Sequence, residues 1–384
     1  MNDLVSVIVG LAGVMIIILT AMSAVQTFVV PRGTPMLITR WVFLAVRAIF
    51  VLLFRSRDYR TRDHAWAMFA PATLLALPAV WLALMLAGFT GIYDSVGVRP
   101  WRNAIFESGS SLFMLGYQHP PSLTAGFIGM IEAGIGLGLV ALLISYLPSI
   151  YGSYSRREVL VTGLEAEAGS PPVAPDLLVR LIMINGVPLL NTYWADWTRW
   201  FNDIEETHSS TPLLAFFRSP APERSWVTAA GAVLDSAALA AAVIEPQKDQ
   251  FGAELCIRAG YVALRRVGDY FAMPYNPDPQ PGDPIAVTRG EFDEAYERLA
   301  GTGVDVKCDR DHAWRDFASR RASYEEPLLR FASLCMAPPA PWSSDRAIPF
   351  HRLPATRRRA RSPLDMKHVR TLGGGRPSGG AVGT

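Results

Sequence analysis

The chain has little with which to do covalent or metal chemistry. Its three cysteines, Cys256, Cys308 and Cys335, are odd in number and lack a CxxC spacing. They supply neither a disulfide framework nor a zinc site, and they fit a reducing compartment. No GxSxG, P-loop or dinucleotide fingerprint is present, so nothing specific marks an enzyme and no cofactor is expected. Glu205, Glu206 and His208 come nearest to a metal cluster, but adjacent carboxylates diverge in a loop, and capping is the simpler role. In the run CDRDH, Cys308 to His312, consecutive residues fan around a helix start, where Asp309 or Asp311 serves as cap. Charge is also scarce: Lys, Arg, Asp and Glu make up 18% of the chain and nearly cancel. The distribution of charge therefore informs more than its sum.

What the chain has in abundance is apolar sequence, crowded into its first 150 positions. This predicts an all-α protein in which integral membrane helices precede a helical cytoplasmic domain and a disordered tail. Leu4 to Val30 begins after Asp3 rather than after Lys or Arg and is longer than a signal core, so it is expected to be a permanent transmembrane helix. Arg32, Arg40, Arg47, Arg55, Arg57, Arg60 and Arg62 lie between this span and the next strong one, Trp66 to Tyr93. The positive-inside rule makes that connection cytoplasmic and puts the N-terminus outside. Within it, Pro35 to Phe54 carries Arg40 and Arg47 on one helical stripe, which suits a helix lying in the inner interface; a further crossing is the alternative. Pro71 and Pro78 are expected to kink the Trp66 to Tyr93 span.

Between that span and the next, Phe127 to Ile150, lies a half-polar piece too short to cross. It runs from Ala104 to Met114 and leads into FMLGYQHPP. A short helix that enters a bilayer and turns back must bury its irregular backbone in protein or against water. FMLGYQ followed by a glycine-rich apolar helix resembles the pore loop and inner helix of the potassium-channel superfamily, in its minimal type of outer helix, pore loop and inner helix. The resemblance covers about Trp66 to Tyr154.

It implies an ion filter at Met114, Leu115, Gly116, Tyr117 and Gln118, aligned on the Gly-Tyr pair of a TVGYG pattern whose carbonyls replace an ion's hydration shell. Methionine here stands where a threonine hydroxyl would form the innermost ion site, and Gln118 stands at a glycine that would take a left-handed backbone. Glu132, a carboxyl within a span, is expected either on the water-filled path or behind the loop, bonded to pore-helix hydroxyls such as Ser110 and Ser111. The inner helix of the family bends at a glycine, which points to Gly134 or Gly138 as hinge. One pore segment per chain implies a homotetramer. The permeant ion would be potassium or another monovalent cation.

The expected organisation is a transmembrane helix and basic interfacial helix over 1–62, a pore unit over 63–157, a linker over 158–175, a helical cytoplasmic domain over 176–337 and a basic tail over 338–384. In the fourth part, Trp194, Trp197 and Phe201 recur at helical spacing and are expected to be core. Trp226 to Ile244 has the length of a span, but alanine dominates it and Asp235 sits at its centre, so a buried helix is expected. Thr288 and Glu291 form a capping box. The tail, with RRRAR at Arg357 to Arg361, has too little apolar residue to bury and suits anionic lipid headgroups rather than nucleic acid. Two functions are thus in view. One is a plasma-membrane channel for monovalent cations. The other is a non-conducting, membrane-anchored sensor or scaffold on the same frame.

Overall fold

The computed structural model describes residues 3–28, 37–54, 59–245 and 251–350. Among these the protein is helical throughout, with one isolated antiparallel bridge, Ile244 to Val306. Four helices build the apolar half: α1 (Asp3–Phe28), α2 (Leu37–Phe54), α4 (Phe69–Ser95) and α6 (Leu123–Ala168). All four are long and apolar enough to cross a membrane. Two short helices punctuate them, α3 (Tyr59–Ala67) before α4 and α5 (Trp101–Leu112) between α4 and α6.

Helix α1 lies antiparallel along α4. Val9 meets Gly91, Gly13 meets Gly88, and Ala24 meets Leu77 and Trp81. A Cβ on Gly13 would stand 2.3 Å from the Gly88 carbonyl oxygen, so only glycine permits this approach. Close backbone approach of this kind is how helices gain contact in a lipid solvent, where apolar side chains have no preference for one another over acyl chains. The outward faces bear Leu4, Leu11 and Met15, all exposed.

Helix α2 starts beside the end of α1, where Thr39 Oγ1 is 3.0 Å from Thr27 Oγ1, and packs Val42 against Trp81. Its second half leans on the base of α4, with Phe43 and Phe50 packed edge-on against Phe69. It does not turn back beside α1. Pro71 falls in the first turn of α4, where backbone N–H groups have no intrahelical acceptor; the expected Trp66 to Tyr93 span is interrupted at Met68, three residues before it, and Pro78 is internal to α4.

The remaining helices form a module below: α7 (Ala174–Asn185), α8 (Leu190–Ser210), α9 (Trp226–Val243), α10 (Gly252–Tyr270), α11 (Arg289–Ala300), α12 (Arg310–Ala322) and α13 (Glu325–Leu334). Helix α9 is the central rod, and every residue of it except Ala241 is buried. Trp194, Trp197 and Phe201 of α8 join this core, as their spacing predicts. Asp235 on α9 pairs with the fully buried Arg321 and accepts from Tyr324 Oη at 2.7 Å. The capping box at Thr288 and Glu291 and the Asp309 cap on α12 are present. Glu205 pairs with Arg266, and His208 faces Arg157, so neither is a solvated cap.

Two boundaries move. Residues 158–168, expected as linker, continue α6 without a break, because Val161, Leu164 and Ala168 bury one face of that helix in the module core. The tail expected from Pro338 begins later: Ala340, Trp342 and Phe350 are buried, and Arg321 Nη2 donates to the Trp342 carbonyl at 2.5 Å. Proline-rich composition concealed the two aromatic anchors that dock this strap. The RRRAR run lies outside the described residues.

Candidate functional site at the α5 turn

Helix α5 is held between α4 and α6 by a small apolar core of Met85, Phe89, Tyr93, Ala104, Leu112 and Ala125. Ala104, Ser108 and Leu112 recur at four-residue spacing and are buried together on its inner face. Ser108 Oγ donates to Glu132 Oε1 at 2.5 Å, a bond that ties the short helix to α6. The same hydroxyl is 3.3 Å from the Leu86 carbonyl of α4. Tyr93 Oη of α4 donates to Ser111 Oγ at 3.4 Å.

Glycine sets the distance between α6 and this assembly. A Cβ on Gly136 would stand 2.2 Å from the Leu112 carbonyl oxygen, and one on Gly129 would stand 2.9 Å from Ser111 Oγ. A Cβ on Gly134 or Gly138 would meet nothing within 4 Å. Helix α6 runs unbroken through all four.

Beyond Leu112 the chain reverses on two left-handed residues, Met114 at φ 55° and Gly116 at φ 66°. Leu115 N donates to the Ser110 carbonyl at 2.8 Å, Gln118 N to Ser110 Oγ at 3.2 Å, and Tyr117 Oη to the Phe106 carbonyl at 3.2 Å. The amides of Met114, Leu115 and Gln118 are thus bonded back to α5. Among the described residues no donor reaches a carbonyl of 114–118, and all five residues are exposed. The turn exposes these residues, with the large apolar side chains of Met114, Leu115 and Tyr117 among them.

Three expectations change at this point. The left-handed backbone assigned to Gln118 belongs to Met114 instead. A β-branched residue is strongly disfavoured there, so methionine fits this turn better than the threonine of the resembled pattern. Glu132 is behind the loop, fully buried, but its hydroxyl partner is Ser108 rather than Ser110 or Ser111. Ser110 supports the turn, and Ser111 takes the Tyr93 hydroxyl. The i, i+4 phase with Ala104 and Leu112 was the signal that could have singled out Ser108. Tyr93 carried none, since its partner is reached only by packing. Glu107, on the same short helix, is buried as well.

The protein is therefore an all-helical chain with several helices able to span a membrane, a short polar helix clasped between two of them and a helical module attached at their base. No protein-family profile, curated protein or solved structure matches it.

Proposed function

We propose that the protein is a pore-forming membrane protein that conducts monovalent cations, potassium among them, as a homotetramer in the plasma membrane with its helical module in the cytoplasm. The observation that carries this reading is the exposed turn at 114–118, where the amides of Met114, Leu115 and Gln118 are bonded to α5 and no donor among the described residues reaches a carbonyl. A ring of such carbonyls from four copies would replace part of an ion's hydration shell. A carbonyl surface at membrane depth has to face water, an ion or protein, because lipid offers no donor. Helix α5 would be the pore helix, α4 the outer helix and α6 the inner helix, with bending, if any, at Gly134 or Gly138, whose surroundings are open. Helix α2, with its second half on the base of α4, would lie at the inner interface.

Potassium-driven flux from liposomes holding the purified tetramer tests this. Flux abolished by Gly116→Val is expected, because the left-handed turn cannot form with a β-branched residue. A tetramer with no flux sinks the conducting reading. The substitution Met114→Gly should preserve flux, and Met114→Thr should lower it. The second reading, a non-conducting membrane-anchored scaffold, is favoured by one feature: no hydroxyl lines the position of Met114. A crosslinking ladder that stops at the dimer, with no flux, would support it.

A further inference from the structure

The segment from Thr211 to Arg218, which contains the 3-10 turn Pro212–Phe216, is gripped from both sides. On the membrane side, the Phe216 ring is 5.6 Å from that of Phe69 on α4 and 5.1 Å from that of Phe43 on α2. Leu214 packs with Leu74 of α4 and Ile150 of α6. On the module side, Trp226 Nε1 donates to the Ala215 carbonyl at 3.0 Å, and Arg218 Nη2 donates to the carbonyls of Cys335 and Met336 at 3.1 Å each. Arg218 also pairs with Asp63 on α3.

Its tightest attachment is to α6. Arg157 is fully buried, and a guanidinium without water must find its partners within the protein. It directs Nη1 to the Leu214 carbonyl at 2.8 Å, Nη2 to the Phe217 carbonyl at 2.6 Å and Nε to Glu158 Oε1 at 2.9 Å. His208 Nε2 is 3.2 Å from Nη1. One turn away, Tyr154 Oη donates to the Arg218 carbonyl at 3.0 Å, and higher still Tyr146 Oη is 2.9 Å from Thr211 Oγ1. The fork geometry of Arg157 admits one conformation of the segment, so the two cannot slide past each other by small steps.

The helices held at their bases by this segment are the two that clasp α5 at their other ends. Helix α4 does so through Leu86 and Tyr93, and α6 through Glu132 and Gly136. Gly136 and Arg157 lie on one helix, about 32 Å apart at 1.5 Å per residue, with Pro148 between them. A shift imposed at Arg157 meets no loop before the Leu112 carbonyl, and it bends or moves the helix between them, which holds Gly138 and Pro148.

We infer that the helical module controls the α5 turn mechanically, through Thr211 to Arg218 acting on α4 and α6, with Arg157 as the positioning residue of the coupling. On the pore reading, on which the word gating rests, the module is the gating element; the coupling itself is defined without conduction.

The test is hydrogen exchange on the full-length protein in lipid nanodiscs, read at the amides of Met114, Leu115 and Gln118, which no module residue touches. In Arg157→Ala these amides are expected to exchange at least tenfold faster with helix content intact. Tyr154→Phe and Tyr146→Phe, milder and safe for folding, are expected to give at least threefold. Arg199→Ala, on the exposed face of α8, is expected to leave them unchanged. Faster exchange confined to 154–158 and 211–218 in all three variants, or an equal effect of Arg199→Ala at the turn, overturns the coupling. Flux on the same proteins separates the two readings. If the wild type does not conduct, the pore reading falls and exchange alone decides the coupling. If it conducts, a threefold or larger change in the Tyr154→Phe variant supports gating, and flux unchanged despite faster exchange at the turn overturns it.

Discussion

Helices α1 and α9 are both long and apolar enough to cross a membrane, yet the protein uses them in opposite ways. Helix α1 touches α4 along a narrow glycine seam and leaves Leu4, Leu11, Met15 and Leu19 outside. Helix α9, rich in alanine, is enclosed on every side by α7, α10, α12 and α13. Alanine lets neighbouring helices approach all round, whereas a coat of leucine, isoleucine and methionine is left for the solvent of the bilayer. Two buried carboxyl groups, one on α9 and one on the apolar helix α6, extend the contrast. Asp235 on α9 meets a guanidinium and a phenol, while Glu132 on α6 meets a serine hydroxyl and stands beside a short helix that leads to a turn. The first pairs charges within a core, and the second ties a short helix to its neighbour.

The sharpest way to break this comparison is at Asp235. Asp235→Ala leaves Arg321 buried without its main counter-charge and is expected to cost about 3–5 kcal/mol in denaturant unfolding of the purified protein. The equivalent loss at Ser108→Ala should be smaller, about 1–3 kcal/mol, since a hydroxyl partner rather than a charge is removed. Gly136→Leu forces a side chain against the Leu112 carbonyl and should cost about 1–3 kcal/mol, whereas Gly134→Ala, in open space, should gain up to about 1 kcal/mol of helix propensity. Melting temperatures of the two variants in one detergent would show the opposite signs.

Acid should act on the module first. Burial, and then the Arg157 guanidinium, hold His208 well below the ordinary histidine range, so the folded protein keeps the ring neutral. The unfolded chain takes up that proton below about pH 6.5. The stability contributed by the neutral ring is whole above that pH and is lost as pH falls toward the folded-state value, by up to about 1.4 kcal/mol per pH unit. His208→Gln is expected to flatten the unfolding profile between about pH 6.5 and 5. Arg199→Ala sets the floor of the series: its ion pair with Asp196 is solvent-exposed, and a change beyond about 0.5 kcal/mol would show that surface charge matters more here than the buried pairs suggest.

Much of this was legible along the chain because it depends on neighbours a few residues away. Thr288 and Glu291, Asp309 and the tryptophan stripe of α8 were all readable from spacing. So was the short polar helix between two apolar ones. The errors share a cause as well. Pro71 looked internal to a span until the helix start moved to Phe69, and 158–168 looked like a linker because the apolar run stops near Ile150 while its buried face continues on Val161 and Leu164. Trp342 and Phe350 were hidden among prolines. In each case burial by distant residues outweighed local composition.

Helix type, helix ends and the order of apolar spans follow from propensity, capping and hydrophobic length, which act within a few turns of chain. The sequence by itself therefore determined an all-helical protein with a short helix clasped between long apolar ones. Which serine holds Glu132 and which arginine locks the inner helix to the module are matters of contacts 24 to 60 residues apart. Only the tertiary structure decided them, because a buried charge or hydroxyl takes whichever partner packing brings within about 3 Å.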